Sequence, residues 1–582
     1  MRRRTKSLNP VRRERPSAPV SSTRPWQAIS WPRAFLLAAA LALVVFAIYS
    51  RSLGFEFILD DQRFTSDPRI REGGHLWDYF ANYVWAQFSG GPPSFYRPVF
   101  LLWLRANFLL AAQSSWVWHW LSIFKHVGVA VLLGLLAWRL LRDWQAAFAA
   151  AVLFALHPAQ TESVSWVTVP DPLMTAGLLG ALLLYFRSVD LALPEPPGGE
   201  NKSRKPRKKS AARVPANPGL ARLSAAGLYF LALATKETAI LFPAVIFSLA
   251  LCREPAASPD VKTGKTGLKA RLLNGIGDVL PFVCATALYL LLRFHALGGR
   301  LSSSTQHLPW RTVVLSWPAV LWFYVKAMLW PVRSYSFADP IVVENFSLRG
   351  VLFPLVGLLC FAAVVLTGFV WAWRKAPSGT REAAALRAAL VTGTLLVVLP
   401  LVPTLSLNTL NPGDFLHGRY TYLPLAGLML LLATWWHLLE NVRVLLPAAA
   451  GVLALLFAAW TLSQQRQWKD DASVFSTAHR LAPHNAPVAR NLADTSVEAA
   501  VRLQDQGRCG EAIPTLNRVV HDYPDNWFAW AGLGVCYARL NDLPRAEESL
   551  RRAAEISHNA RVIAQWQELR AHMGLSSSPS TP

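Results

Sequence analysis

Apolar residues gather in repeated blocks of roughly 16 to 24 residues between residues 33 and 464, and polar connections separate the blocks. A block of this length with few charges is typical of a helix that crosses the hydrocarbon core of a membrane. We interpret about eleven blocks as spans, near residues 34–49, 118–138, 146–156, 173–186, 220–234, 239–252, 276–292, 351–373, 388–402, 422–436 and 444–462. The pattern predicts an all-α, polytopic membrane domain over residues 33–464.

Two further apolar segments are not expected to cross the membrane. Residues 96–110 contain Arg105 and Asn107 and are interpreted as an interfacial helix on the outer surface. Residues 313–330 contain Lys326. A crossing there would reverse the side of the basic connection that follows, so we interpret this segment as re-entrant or interfacial.

Lysine and arginine lie mainly in the tails and connections. The first 32 residues carry eight of them, residues 187–213 carry eight and residues 253–271 carry five. Under the positive-inside rule these segments are cytoplasmic, which places the N-terminus inside and the first outer loop, residues 53–117, outside. The net charge of +23 therefore indicates membrane orientation, and no nucleic-acid partner is expected. The basic tail at 1–32 and most of the basic loop at 188–218 are expected to be disordered.

The pattern changes near residue 465, where apolar residues become spaced and residues recur at a period of 34. This period is typical of tetratricopeptide repeats, which are helix pairs that bury their apolar faces by stacking. The matched pairs are Gly507 with Asn541, Ala512 with Ala546 and Leu516 with Leu550, and Gly534 also stands at a repeat position. Residues 465–574 are predicted to form a short α-helical solenoid that makes protein–protein contacts, followed by a disordered tail at 575–582.

Polar residues converge on the predicted outer side of the membrane domain. A carboxylate there can act as a general base towards a hydroxyl, and lysine or arginine can neutralise a phosphate leaving group. No Walker loop or dinucleotide-binding fingerprint competes with this chemistry. The candidates are Asp60 and Asp61 as catalytic residues, and Tyr96, Arg97, His157, Glu162, Asp171, Lys236, Glu237, Arg419 and Tyr420 as contacts of a substrate or donor phosphate.

Each of these features also has a structural interpretation. The Asp60 and Asp61 pair can solvate a loop or cap a short helix, and the segment from His157 to Glu162 can be a helix stop followed by a cap. Lys236 and Glu237 can neutralise each other. The remaining alternatives are an interfacial anchor at Arg419 and Tyr420, and a simple helix start at Tyr96, Arg97 and Pro98.

The order of these motifs along the chain is more specific than any one of them. Asp-Asp follows the first span, and Tyr-Arg-Pro, His-Pro-x-x-Thr-Glu, Lys-Glu and Gly-Arg-Tyr-Thr-Tyr-Leu-Pro follow in turn before the repeats. This order resembles the membrane O-mannosyltransferases with tetratricopeptide repeats and their bacterial relatives. The resemblance implies a GT-C glycosyltransferase fold, an inverting transfer and a polyprenyl-phosphate sugar as donor. It also implies that Asp60 or Asp61 is the general base and that Arg97, Lys236 and Arg419 serve the donor phosphate.

The sequence departs from the family at one motif. Relatives often carry an acid directly before the arginine that corresponds to Arg419, whereas the nearest acid here is Asp414. The repeat array is also shorter than in the animal proteins. The sugar, mannose or a similar hexose, and the acceptor, a hydroxyl on a protein or an envelope glycan, are not decided by the resemblance.

The sequence leaves the cellular setting and two other functions to be considered. The basic, Ala- and Arg-rich composition favours a bacterial inner membrane with the repeats in the periplasm. A non-enzymatic membrane-anchored scaffold for envelope proteins is the alternative, although a single helix would suffice as its anchor. A transporter of lipid-linked sugars or polymers is the third function, and it ranks last because it would carry ionisable groups deep in several spans, whereas most of those here lie at helix ends. No metal site is assigned. The paired carboxylates of Asp60 and Asp61 could bind a divalent ion, so a metal requirement is left open.

Overall fold

The computed structural model describes residues 31–88, 95–191, 217–253, 264–300, 307–332, 338–339, 341–376, 380–409 and 416–575. All regular secondary structure in these ranges is helical, which confirms the all-α prediction. Most of the tail at 1–32, most of the basic loop at 188–218, Asp414 and most of the C-terminal tail lie outside the described residues.

The membrane part contains helices of very different lengths. They are α1 (Trp31–Tyr49), α2 (Asp61–Ser66), α3 (Pro68–Arg71), α4 (Leu76–Ala81), α5 (Pro98–Ala111), α6 (Ser115–Leu141), α7 (Trp144–Leu156), α8 (Thr161–Ser165), α9 (Asp171–Leu191), α10 (Pro218–Leu233), α11 (Phe242–Leu251), α12 (Gly264–Ala296), α13 (Trp310–Leu329), α14 (Phe353–Lys375), α15 (Arg381–Val398), α16 (Tyr422–Leu438) and α17 (Leu446–Gln465). Short 3-10 turns, among them Pro158–Gln160, Glu237–Leu241 and Gly418–Thr421, precede several of them.

Within the described ranges, nine helices are long and apolar enough to cross a membrane: α1, α6, α9, α12, α13, α14, α15, α16 and α17. The chain is an integral membrane protein. Three expected spans, at α7, α10 and α11, are shorter apolar helices of 13, 16 and 10 residues. The segment at 313–330 forms α13, a helix of 20 residues that meets the same criteria as the other eight. The only argument against α13 as a span is therefore that a crossing would place the following basic connection on the wrong side of the membrane.

The membrane helices pack through small residues. At the contact of α15 with α16, a Cβ on Gly427 would lie 2.6 Å from the backbone oxygen of Gly393. Such close approach is typical of membrane helices, where van der Waals packing replaces the hydrophobic effect as the driving force. A single apolar core runs through most of the bundle, from Leu41 on α1 to Phe457 on α17.

The C-terminal part is a stack of amphipathic helices. They are α18 (Asp471–Leu481), α19 (Ala486–Asp505), α20 (Cys509–Asp522), α21 (Trp527–Arg539), α22 (Leu543–Ser557) and α23 (Ala560–His572). Gly507 and Asn541, aligned by the period of 34, both adopt positive φ, of 78° and 62°. At Gly534 a Cβ would lie 2.5 Å from Leu550 Cγ, so a larger residue here would displace the Leu550 side chain. These features confirm the repeat pattern.

The repeats contact the membrane part where the chain enters them. Trp468 is fully buried in a small core with Phe55 and Ile58 from the loop after α1. The Glu56 N–H donates to the Lys469 carbonyl at 2.9 Å. The loop that carries the carboxylate pair is therefore packed against the start of the repeat domain.

Candidate active site

Asp61 is buried where the loop after α1 turns into α2. Its Oδ1 accepts hydrogen bonds from the Thr168 N–H at 3.2 Å and the Thr168 hydroxyl at 2.7 Å, and its Oδ2 accepts from the Ile58 N–H at 3.2 Å. Burial raises the pKa of Asp61 to about 7, although these hydrogen bonds act to lower it. Asp61 therefore joins two loops and holds its proton well above the usual range of an aspartic acid.

Asp60 occupies a different environment from its neighbour. It stands at the N-cap position of α2, but its side chain makes no capping hydrogen bond. The half-buried side chain lines a cavity of about 430 Å³ between the membrane part and the repeats. Trp166 and His417 line the same cavity from the membrane part, and Asn491 lines it from the repeats. Of the two carboxylates, Asp60 is the one that a bound molecule can reach.

His157 stops α7 and starts the turn that follows. Its Nδ1 accepts the Ala159 N–H at 3.2 Å, which leaves Nε2–H to donate to the Met328 carbonyl at 3.1 Å. Burial lowers the pKa of His157 to about 4, so the ring is neutral at neutral pH. The structure thus places this candidate in the helix-stop role that the sequence left open, with both ring nitrogens bound to backbone.

Glu162 organises the turn before α16. The buried carboxylate accepts from His417 Nδ1 at 3.0 Å and from the Arg419 backbone N–H at 3.1 Å. The Arg419 guanidinium lies 3.6 Å from Glu162 and is stacked 4.4 Å from the centre of the Trp166 ring. Arg419 therefore contacts Trp166, and Trp166 and the neighbouring His417 line the cavity of Asp60.

Lys236 pairs with Asp171 and not with its neighbour in sequence. Its Nζ lies 2.6 and 2.7 Å from the two Asp171 oxygens and 4.3 Å from the centre of the Tyr420 ring. The interpretation that Lys236 and Glu237 neutralise each other is wrong. Lys236 is extended, so successive side chains point in opposite directions. Burial lowers the pKa of Lys236 to about 8, and the charge of Asp171 opposes that change.

Glu237 binds Arg97 instead. The Nε and Nη2 atoms of Arg97 donate to the two carboxylate oxygens at 2.9 and 2.8 Å, a bidentate pair. Arg97 is the N-cap residue of α5 and Pro98 is its first residue, so the predicted helix start is present as well. Tyr96 is fully buried, and its hydroxyl donates to the Phe80 carbonyl at 2.9 Å, which indicates a structural role.

The three ion pairs form one network across the loops. Glu237 follows Lys236 directly, and Tyr420, which contacts Lys236, follows Arg419 directly. All the predicted residues from the α7–α9 connection, the α10–α11 connection and the turn before α16 therefore meet at one end of the bundle. In the part of the chain that the structure describes, no group of three or more His, Cys, Asp or Glu side chains is arranged to hold a metal ion.

Sequence reasoning missed three residues of this region. Lys125 is buried in α6, and its Nζ donates to the Val169 carbonyl at 3.3 Å beside the loop that holds Asp61. A lysine inside an apolar span is itself a signal that could have revealed it. Thr168 and Trp166 carry no such signal, because their roles depend on which distant loop packs against them.

The comparisons with known proteins agree with the motif order. A tetratricopeptide repeat family model matches residues 497–560, which confirms the predicted repeats. Human protein O-mannosyl-transferase TMTC1 is 26% identical over 560 residues, covering 86% of this chain and 56% of its own length. Human protein O-mannosyl-transferase TMTC3 is 23% identical over 532 residues, covering 87% of this chain and 53% of its own length. Most of the chain is thus similar in sequence to proteins named protein O-mannosyl-transferases. The chain spans about half the length of these relatives.

A solved structure aligns with much of the chain as well. The crystal structure of the Archaeoglobus fulgidus oligosaccharyltransferase tethered with an acceptor peptide covers 82% of this chain and 58% of its own, with 12% identity and a TM-score of 0.38.

Proposed function

We propose that the chain is a membrane glycosyltransferase of the GT-C type. It transfers mannose or a similar hexose from a polyprenyl-phosphate donor to a hydroxyl on a protein or an envelope glycan. The observation that carries the proposal is the position of Asp60, in a cavity that the membrane part forms with the repeats. The homology to protein O-mannosyl-transferases supports the reaction class.

Asp60 acts as the general base in this proposal. The acceptor hydroxyl gives its proton to the Asp60 carboxylate as the oxygen attacks the anomeric carbon, and the bond from that carbon to the phosphate oxygen breaks. The product is an inverted glycoside, a polyprenyl phosphate and a protonated Asp60. Asp61 is a poor base because its carboxylate is enclosed and already accepts three hydrogen bonds.

Arg419 is the best candidate for the donor phosphate. Its guanidinium lies 4.4 Å from the centre of the Trp166 ring, and Trp166 lines the cavity of Asp60. The planar guanidinium of an arginine matches the geometry of a phosphate group. We assign Arg97 and Lys236, with Glu237 and Asp171, to shaping the site and its electrostatics.

The proposed setting is a bacterial inner membrane with a cytoplasmic N-terminus and periplasmic repeats. The concentration of lysine and arginine at 1–32 and 187–213 supports this orientation. A reporter placed at residue 578 tests it, and a cytoplasmic signal from that reporter would reverse the orientation.

The experiment is sugar transfer by the full-length protein in lipid vesicles. Radiolabelled polyprenyl-phosphate mannose and glucose are supplied with membrane proteins as acceptors, with and without a metal chelator. We expect incorporation with the wild type and with Glu56→Gln, an exposed carboxylate on the same loop, and almost none with Asp60→Asn. Failure of every donor would leave the membrane-anchored scaffold as the better function. The chelator arm shows whether a divalent ion is required.

A further inference from the structure

The segment that leads to Asp60 is held in shape by the repeat domain. Leu59 has a φ of 52°, in the left-handed region. A residue with a Cβ is disfavoured there, so the surrounding structure has to hold it. The Leu59 N–H donates to Asp471 Oδ1 at 2.8 Å, across 412 positions of sequence.

Asp471 is not the residue that caps its own helix. It is the first residue of α18, and the cap is Asp470, whose Oδ1 accepts the Ser473 N–H at 2.8 Å. Adjacent aspartates thus divide two tasks: Asp470 starts the helix, and Asp471 reaches the loop after α1. Burial raises the pKa of Asp471.

We propose that Asp471 is the positioning residue through which the repeat domain sets the orientation of Asp60. The inference rests on the proposed function, in which Asp60 is the base. A carboxylate oxygen that fixes the Leu59 N–H also fixes the peptide plane before Leu59, and Asp60 follows one residue later. Loss of this bond lets Leu59 leave the left-handed region and turns the Asp60 side chain away from the cavity.

Asp471 also lies where a bound molecule would touch it. It lines the cavity of Asp60 and a second cavity of about 820 Å³ along α19 and α21. Asp494 and Glu498 line both cavities as well, so the two adjoin. A molecule bound in either cavity therefore contacts Asp471, the side chain that holds Leu59. Binding at the repeat domain is in this way coupled to the orientation of Asp60.

The test compares three variants of the full-length protein. Asp471→Ala removes the acceptor of the Leu59 N–H, and Asp471→Asn keeps an oxygen at that place. Asp470→Ala weakens the start of α18 without touching Leu59, so it controls for a general loss of stability in the repeats. The readouts are deuterium uptake of the 55–61 segment, kcat for sugar transfer, and binding of polyprenyl phosphate.

We expect Asp471→Ala to raise deuterium uptake at 55–61 and to lower kcat by about tenfold to a hundredfold, with polyprenyl-phosphate binding unchanged. Asp471→Asn should restore most of both. Unchanged uptake in Asp471→Ala, or an equal fall in kcat in Asp470→Ala, would overturn the proposal. If the wild type transfers no sugar, the proposed function fails separately, because the exchange measurement still decides whether Asp471 holds the loop.

Discussion

The environment of Asp61 makes a quantitative prediction about Thr168. Thr168→Val removes the hydroxyl that donates to Asp61 Oδ1 at 2.7 Å and keeps the shape of the side chain. A hydrogen bond to a charged group contributes about 1.5–3 kcal/mol and one to a neutral group about 0.5–1.5 kcal/mol. The cost of the substitution therefore depends on whether Asp61 is ionised, and hence on pH.

The sign of the pH dependence follows from the raised pKa. Asp61 has a pKa of about 7 in the folded protein and an ordinary value of 3.8. Between these values the folded state binds more protons than the unfolded state. The contribution of Asp61 to the free energy of unfolding is therefore fully present below pH 3.8. It decreases by about 4 kcal/mol as the pH rises from 3.8 to about 7. Thr168→Val raises the pKa further, so the fall continues to higher pH.

The assay is thermal unfolding of the detergent-purified protein at pH 6 and pH 8.5, followed by tryptophan fluorescence. Thr168→Val should lower the melting temperature more at pH 8.5 than at pH 6. Thr161→Val is the matched control, because the Thr161 hydroxyl donates to the Pro158 carbonyl, which does not titrate. An equal effect of Thr168→Val at both pH values, or the same pH dependence in the control, would refute the reasoning.

Three more predictions concern the ion pairs and the helix packing. Lys236→Met leaves Asp171 buried without its cation and should lower the free energy of unfolding by about 3–5 kcal/mol, measured by thermal unfolding. Adding Asp171→Asn should recover most of this loss, and a double variant no more stable than the single variant would contradict the prediction. Arg419→Lys removes the planar stack on the indole and should raise KM for the donor roughly tenfold with little change in melting temperature; an unchanged KM would remove Arg419 from the phosphate site. Gly427→Ala should destabilise the protein by about 1–3 kcal/mol, whereas Gly451→Ala, where a Cβ meets nothing within 4 Å, should not.

The architecture was predictable because its signals are local. Apolar blocks, the period of 34 and the charge distribution require no knowledge of distant contacts. The predicted span count differs from the nine qualifying helices because α7, α10 and α11 are short and α13 is long. Helix length inside a bundle depends on how neighbouring helices cover it, and a hydropathy pattern does not report that.

The sequence indicates which residues belong to the candidate site, but not which of them bind one another. Residue type and helix-end position suffice to nominate Glu162, Lys236 and Arg419. The partners follow from tertiary structure: Glu162 meets His417 and Arg419 across 255 and 257 positions of sequence. The different roles of Asp60 and Asp61 likewise depend on which of them faces the cavity. The sequence pattern cannot show this, because the two residues are identical and adjacent.

The most direct test of the proposed function is the single-turnover rate of sugar transfer by Asp60→Asn and Asp61→Asn with saturating polyprenyl-phosphate sugar. Loss of a general base lowers the rate by about 10²–10⁴-fold. We expect that loss in Asp60→Asn with donor binding intact, and a smaller loss in Asp61→Asn, which keeps two of the three contacts. Transfer by Asp60→Asn at the wild-type rate would contradict the assignment of Asp60 as the base.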